Sequence, residues 1–176
     1  MSGHGHDSLT PAAWLVMNRA LLPPSGRALD VACGQGRNAF WLAQQGFDTT
    51  ALDRDPAAVA ALEARVRQDG LPLTARAVDL ESGAVDLGEA VYDVVVVVHY
   101  LHRALFPALI AALAPGGVLV YETFTIAQAA RGRPTNPAFL LEPGELPRLV
   151  APLEILVERE GDFDGRMVSS VVARRT

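Results

Sequence analysis

The chain has 176 residues, half of them apolar, and a net charge of −5 at pH 7, enough for one domain with a substantial core and no second catalytic domain. No segment clusters cations, which argues against nucleic acid as partner, because holding a phosphate backbone at physiological salt takes several cationic contacts. No apolar run reaches the roughly twenty residues that cross a bilayer, no leader-like segment is seen, and Cys33 is the lone cysteine; the expectation is a cytoplasmic protein with no membrane partner, no internal disulfide and no cysteine metal cluster.

In chain order, the spacing predicts a helix from Pro11 to Leu22 with Thr10 as N-cap, stopped by Pro23-Pro24-Ser25-Gly26. A strand from Arg27 to Cys33, a helix from Arg37 to Gln45 and a strand from Asp48 to Asp53 follow. Pro56 opens a second long helix with Val59, Leu62 and Val66 on one face. A third strand runs from Leu73 to Leu80, and residues 81–90 read as a short turn or loop. Tyr92 to Val98 is an unbroken valine run, the pattern of a strand buried on both faces of a parallel sheet. A helix from Arg103 to Leu113, a turn at Pro115-Gly116-Gly117 and a strand from Val118 to Phe124 come next. After a long polar interval, a helix near Glu142 to Val150 leads to two strands, Leu153 to Arg159 and Met167 to Arg174. The turn-rich Gly161-Asp162-Phe163-Asp164-Gly165 between them predicts an antiparallel hairpin. The fold class is therefore α/β: a Rossmann-like seven-stranded sheet with helices on both faces and the last strand antiparallel. Residues 1–26 read as a tail and helix packing on a cofactor-binding domain of residues 27–176.

The chemistry concentrates in the first strand, which carries Asp30 and enters a loop with Gly34 and Gly36, and in the second strand, which ends in Asp53. Strand, glycine turn, helix and strand-terminal acid make half of a nucleotide-binding unit, in which bare backbone approaches a ligand and the acid takes ribose hydroxyls. A dinucleotide would bring a doubly negative pyrophosphate to this loop, where Asp30 repels it. S-adenosylmethionine brings a sulfonium, an ammonium and one carboxylate, which Asp30 tolerates. Gly34-x-Gly36-x-x-Ala39 nevertheless satisfies the relaxed dinucleotide fingerprint, so a nicotinamide-dependent oxidoreductase stays open as an alternative.

These residues resemble the class I S-adenosylmethionine-dependent methyltransferases, and Cys33-Gly34-Gln35-Gly36-Arg37-Asn38 is similar to the corresponding stretch of the small tellurite-resistance methyltransferases. Asn136 to Leu141 with Gly144-Glu145-Leu146 resembles small bacterial members of unassigned substrate. The resemblance implies a cofactor loop of Ala32, Cys33, Gly34 and Gly36 approaching the methionine half, with Cys33 a small buried residue and not a nucleophile. It implies Arg37 pairing with the cofactor carboxylate, Asp53 holding the ribose diol and Arg54 flanking the adenine. Asp79 would face the adenine amino group, Leu80 would offer a backbone amide, and Val98 and His99 would lie beside the sulfonium.

His99, Tyr100 and His102 follow the valine strand and are the candidate catalytic residues, since α/β sheets bind ligands at this edge. A near-neutral histidine could take a proton from an attacking hydroxyl or amine; the plainer alternative is that His102 only orients the loop. His4 and His6 alternate like metal ligands but stand in a glycine-rich terminus, and no metal is expected. Trp14 reads as an anchor of the first helix or a wall of the acceptor pocket. Ile126 to Ala138 is expected to form a mobile cover whose Arg131 and Arg133 draw in an anionic acceptor. All fifteen basic residues are arginine, which excludes lysine Schiff-base chemistry. The expected activity is methyl transfer from S-adenosylmethionine to a small-molecule acceptor by in-line displacement, the other alternative being a non-catalytic S-adenosylmethionine-binding module. The oligomeric state is not legible.

Overall fold

A computed structural model describes residues 9–176, so His4 and His6 lie outside the described residues. Among the described residues no helix is long and apolar enough to cross a membrane. Seven strands form one sheet: β1 (Gly26–Val31), β2 (Phe47–Asp53), β3 (Leu73–Ala77), β4 (Tyr92–Val98), β5 (Leu113–Phe124), β6 (Glu154–Phe163) and β7 (Arg166–Arg174). Their order is β3-β2-β1-β4-β5-β7-β6. β1 to β5 pair in parallel, and β7 runs antiparallel between β5 and β6.

The valine run explains the centre of the sheet. Successive strand side chains point to opposite faces, and β4 is hydrogen-bonded on both edges, to β1 and β5. Val95 and Val97 pack with Phe106 and Leu109 of α4 (Phe106–Ala112) and Leu146 of α5 (Glu145–Leu149). Val94 and Val96 pack with Trp14 and Leu15 of α1 (Ala13–Met17) and Leu42 of α2 (Arg37–Gln44). Each fully buried valine is worth about 1.5 to 3 kcal/mol, which makes β4 the fixed reference for the loop that follows it. A third cluster joins Phe40 of α2 to Val59, Leu62 and Val66 of α3 (Pro56–Asp69), the helical face read from the sequence.

Several boundaries move for local reasons. The first helix is only α1 plus a 3-10 turn at Arg19–Leu21, because the Asn18 amide donates to the Trp14 carbonyl at 2.8 Å and diverts the helix ladder. Its N-cap is Ala12 rather than Thr10, and the Ala12 N–H donates to Asn38 Oδ1. β5 starts at Leu113 instead of Val118, since Leu113 pairs with Tyr92 across a register shift that absorbs the Pro-Gly-Gly turn. β6 and β7 extend toward each other until only Asp164 and Gly165 remain between them, both with positive φ, a tight hairpin turn. β3 stops at Ala77, which releases Asp79 and Leu80 to the sheet edge.

Candidate active site

β1 to β4 are parallel, so their carboxyl ends, with the loops after them, meet along one edge of the sheet. A cavity of about 810 Å³ opens there. Ala32 after β1, Asp53 and Arg54 at the end of β2, and Asp79 and Leu80 after β3 line one part of it. His99, Tyr100 and Leu101 after β4, with Thr123 and Phe124 of β5, line another. Ala32 and His99 hold φ of 56° and 57°. Left-handed backbone at non-glycine residues is uncommon and gathers at functional sites.

The loop after β1 is built on hydrogen bonds. The Gly34 N–H donates to Asp53 Oδ2 at 2.8 Å, and the Asp55 N–H donates to Asp53 Oδ1 at 3.0 Å. Each Asp53 oxygen keeps a free lone pair, as a ribose diol requires. Gly34 has φ of 54°, and a Cβ there would meet nothing within 4 Å, so this backbone is bare toward open space. Gly36 has another cause: with φ of 83°, its Cβ would stand 2.6 Å from Leu62 Cδ2. Its lack of a side chain makes room for Leu62 in loop-to-helix packing.

Asp30 is 1% exposed and does not reach the cavity. Its Oδ2 accepts the Ala39 N–H at 2.9 Å, capping α2 across the loop. Burial pushes its carboxyl up to about 7 against the opposing effects of that hydrogen bond and of Arg37. The helix terminus that would hold a pyrophosphate in a dinucleotide enzyme is thus taken by a protein carboxylate. Asp79 both faces the cavity and caps its own turn, accepting the Glu81 N–H at 3.0 Å. Cys33 is buried, and burial followed by the nearby carboxylates of Asp30 and Asp53 pushes its thiol up, out of reach of nucleophilic chemistry. Val98 packs in the core beneath the site and is not among the residues lining the cavity.

The histidine and tyrosine differ from the expectation. His99 is not near-neutral: burial, then Arg37 and Arg166, lower its imidazole to about 4. Its ring stacks on Phe124 with centroids 4.5 Å apart. Burial, then Glu81, pushes the Tyr100 phenol up to about 12, so Tyr100 is a fixed donor and no proton acceptor. His102 does not line the cavity; its carbonyl accepts the Leu105 N–H in a 3-10 turn, the loop-orienting alternative.

His99 also borders a smaller recess of about 60 Å³, lined by Arg37, Arg159 and Arg166 with Glu122 and Asp164. Arg37 is therefore placed at the recess and not at the main cavity. Glu122 Oε2 accepts from Ser170 Oγ and from Arg159 Nη2, the latter at 3.2 Å. The Arg159 guanidinium lies over the rings of Trp14 at 4.5 Å and Phe163 at 3.8 Å. Its Nε is buried with no hydrogen-bond partner among the described residues. Trp14 is thus a core anchor that supports Arg159, its indole N–H donating to the Val171 carbonyl. Three guanidiniums against two carboxylates leave the recess net positive. Sequence reasoning missed Arg159 and Arg166, because charges on a terminal hairpin read as solvated, and missed Glu122 of β5, whose partners Arg159 and Ser170 are distant in sequence.

The segment Ile126 to Ala138, expected to form a mobile cover, carries ties at its base and along its length. Leu141 exchanges backbone hydrogen bonds with Phe124 and Ile126, both at 2.9 Å, closing the loop at its base. Gln128, buried, donates to the Arg133 carbonyl and accepts the Met167 N–H. Arg131 pairs with Asp162 on the hairpin, so only Arg133 of the two expected cations lines the cavity.

A doubly wound sheet with an antiparallel seventh strand and a nucleoside-sized cavity at its carboxyl edge defines a cofactor-binding α/β protein of the methyltransferase type. A family model described as a methyltransferase domain matches residues 28–117. The chain is 31% identical over 140 residues to Hemagglutinin 1 of Eikenella corrodens, covering 76% of this chain and 46% of that protein. It is 26% identical over 95 residues to the probable S-adenosyl-L-methionine-dependent methyltransferase TehB of Haemophilus influenzae, covering 54% and 33%. The chain thus spans less than half the length of these curated relatives. The crystal structure of TehB from Haemophilus influenzae superposes with a TM-score of 0.74 at 20% identity, covering 93% of this chain and 61% of that one. A methyltransferase structure from Mesorhizobium loti gives 0.73 at 22% identity, covering 93% and 98%. The chain belongs to the class I S-adenosylmethionine-dependent methyltransferases, and the cofactor of that family is S-adenosylmethionine.

Proposed function

We propose that the chain transfers a methyl group from S-adenosylmethionine to a small anionic acceptor seated beside His99. The observation that carries the acceptor's charge is the recess of Arg37, Arg159 and Arg166, which shares His99 with the lining of the main cavity. The residues at the main cavity suit the cofactor: an acid with spare lone pairs at Asp53, and Asp79 and Leu80 further along the edge, while the bare backbone of Gly34 lines a neighbouring recess that shares Asp53. In this reading Asp53 holds the ribose hydroxyls, Asp79 and Leu80 take the adenine edge and Arg54 flanks it. Residues 27–176 are the cofactor-binding unit, and residues 9–26 pack against it. A single cysteine, which permits no internal disulfide, is in keeping with a cytoplasmic setting.

When bound, the cofactor supplies an electrophilic methyl on a sulfonium sulfur that departs as a neutral thioether. The protein's task is alignment and water exclusion, since effective molarity supplies much of the acceleration. His99, neutral above about pH 4, leaves the sulfonium unopposed by a second cation and serves as an oriented wall stacked on Phe124. Neither His99 nor Tyr100 is poised to take a proton near neutral pH, which favours an acceptor that attacks as an anion, such as a thiolate, a carboxylate or a chalcogen oxyanion. The test is mass spectrometry of small anions incubated with protein and S-adenosylmethionine. Methylated anion with matching S-adenosylhomocysteine supports the reading, whereas methylation confined to neutral amines or alcohols refutes the anionic acceptor.

A further inference from the structure

Residues 135–139 are all exposed, so burial does little to fix this part of the cavity wall, and its position depends on polar ties. Arg133, Pro134, Thr135, Asn136 and Phe139 nevertheless line the main cavity, and the Phe139 ring is 48% exposed there. One side chain outside the cavity joins this wall to the loop after β4. Arg103 donates from Nη1 to the Ala138 carbonyl at 3.2 Å and from Nη2 to the Leu140 carbonyl at 3.0 Å. The same guanidinium forms a two-point pair with Glu145, Nε to Oε1 and Nη2 to Oε2. Glu145 Oε2 in turn accepts the Glu142 N–H at 2.7 Å, completing the tie on the far side of the wall.

The other end of the tie is equally fixed. Tyr121, buried in β5, donates its hydroxyl to the Tyr100 carbonyl at 2.6 Å. That bond holds the loop whose His99, Tyr100 and Leu101 line the cavity. One planar fork therefore ties the wall's backbone to the segment after β4 with two hydrogen bonds and anchors itself on Glu145 with two more, a set that an ammonium, a point charge without the fork, cannot reproduce in the same geometry.

We propose that Arg103 is a positioning residue that holds the 133–139 wall against the β4 loop and thereby sets how long the cofactor and its product stay in the cavity. The proposal rests on the reading that this cavity takes S-adenosylmethionine. Arg103 does not line the cavity and acts only through the wall. Its loss therefore changes dissociation and leaves association, governed by the open edge at Asp53 and Arg54, nearly untouched.

The experiment is stopped-flow measurement of S-adenosylhomocysteine association and release with the full chain. Arg103→Met is expected to release the ligand about tenfold faster or more, the loss of charge-assisted bonds, with association within about threefold of wild type. Arg103→Lys keeps the charge but not the fork, and most of the defect remains. Phe139→Ala speeds release in the wild-type background and adds nothing in Arg103→Met, because the wall is then already loose. Glu145→Gln, which removes one partner with little change of volume, shows a smaller acceleration in the same direction and carries the comparison if Arg103→Met fails to fold. Unchanged release in Arg103→Met or Glu145→Gln overturns the proposal, as does full additivity with Phe139→Ala. Those results leave the cofactor reading standing; a wild-type chain that binds no S-adenosylhomocysteine overturns both.

Discussion

Asp30→Asn removes an ionisation and keeps an oxygen to accept the Ala39 N–H that caps α2. The carboxyl of Asp30 is raised from an ordinary 3.8 to about 7, chiefly by burial. A raised folded-state value means that its contribution to stability is complete below the unfolded value and is lost as pH rises to the folded one. Three pH units at about 1.4 kcal/mol each give a loss of about 4 kcal/mol between pH 4 and pH 7, level above that. The asparagine chain escapes this loss but leaves a buried amide N–H₂ to satisfy, at about 1 to 3 kcal/mol independent of pH. Urea unfolding of both chains at pH 4.5 to 8.5 therefore shows the stability difference moving in favour of Asp30→Asn as pH rises, then levelling. S-adenosylhomocysteine affinity stays within a few fold, because Asp30 does not reach the cavity. A stability difference that is flat with pH would falsify the account of Asp30 as a buried cap.

The remaining predictions concern the site. Asp53→Ala weakens S-adenosylhomocysteine binding by about 1 to 3 kcal/mol in calorimetry, the scale of a lost charged partner; unaltered affinity removes Asp53 from the ribose. Gly36→Ala destabilises the fold by roughly 1 to 3 kcal/mol through its clash with Leu62, while Gly34→Ala costs more in cofactor affinity than in stability, and thermal melts beside calorimetry separate the two. His99, lowered to about 4, contributes stability that is present above pH 6.5 and is lost as pH falls toward 4, about 3 kcal/mol in all; a His99→Ala chain whose stability has the same acid dependence as wild type disproves this. Arg166→Met raises the acceptor KM and leaves S-adenosylhomocysteine affinity unchanged, so an equal loss of both speaks against a separate anion recess.

The proposed cofactor half of the site could be read in the sequence because it is local. An apolar strand, two glycines, a helix and a second strand with a terminal acid lie within one stretch, so Asp53, Gly34 and Asp79 could be placed from order alone. The proposed acceptor recess is assembled by strand order. β7 inserts between β5 and β6, and its register aligns Glu122, Ser170 and Arg159 across three strands, an adjacency absent from local spacing. His99 was found by its place after β4, but its lowered imidazole comes from burial and from Arg37 and Arg166, which only the folded chain brings near. Gly36 and Asp30 were read as ligand-facing because packing against Leu62 and capping of α2 leave the same local signature as cofactor contact. The loop after β5 looked loose from its prolines and glycines, whereas Gln128, through the Met167 N–H, with Arg131 and Arg103, ties it down at long range.

The most direct test of the central claim is product analysis with isotopically labelled S-adenosylmethionine and a panel of thiolates, carboxylates, selenite and tellurite. The account predicts labelled methyl on at least one anion, with one S-adenosylhomocysteine formed per methyl transferred, and loss of that product in Arg166→Met while the cofactor still binds. Tight cofactor binding with no methylated product, or product only from neutral acceptors and unaffected by Arg166→Met, would contradict it.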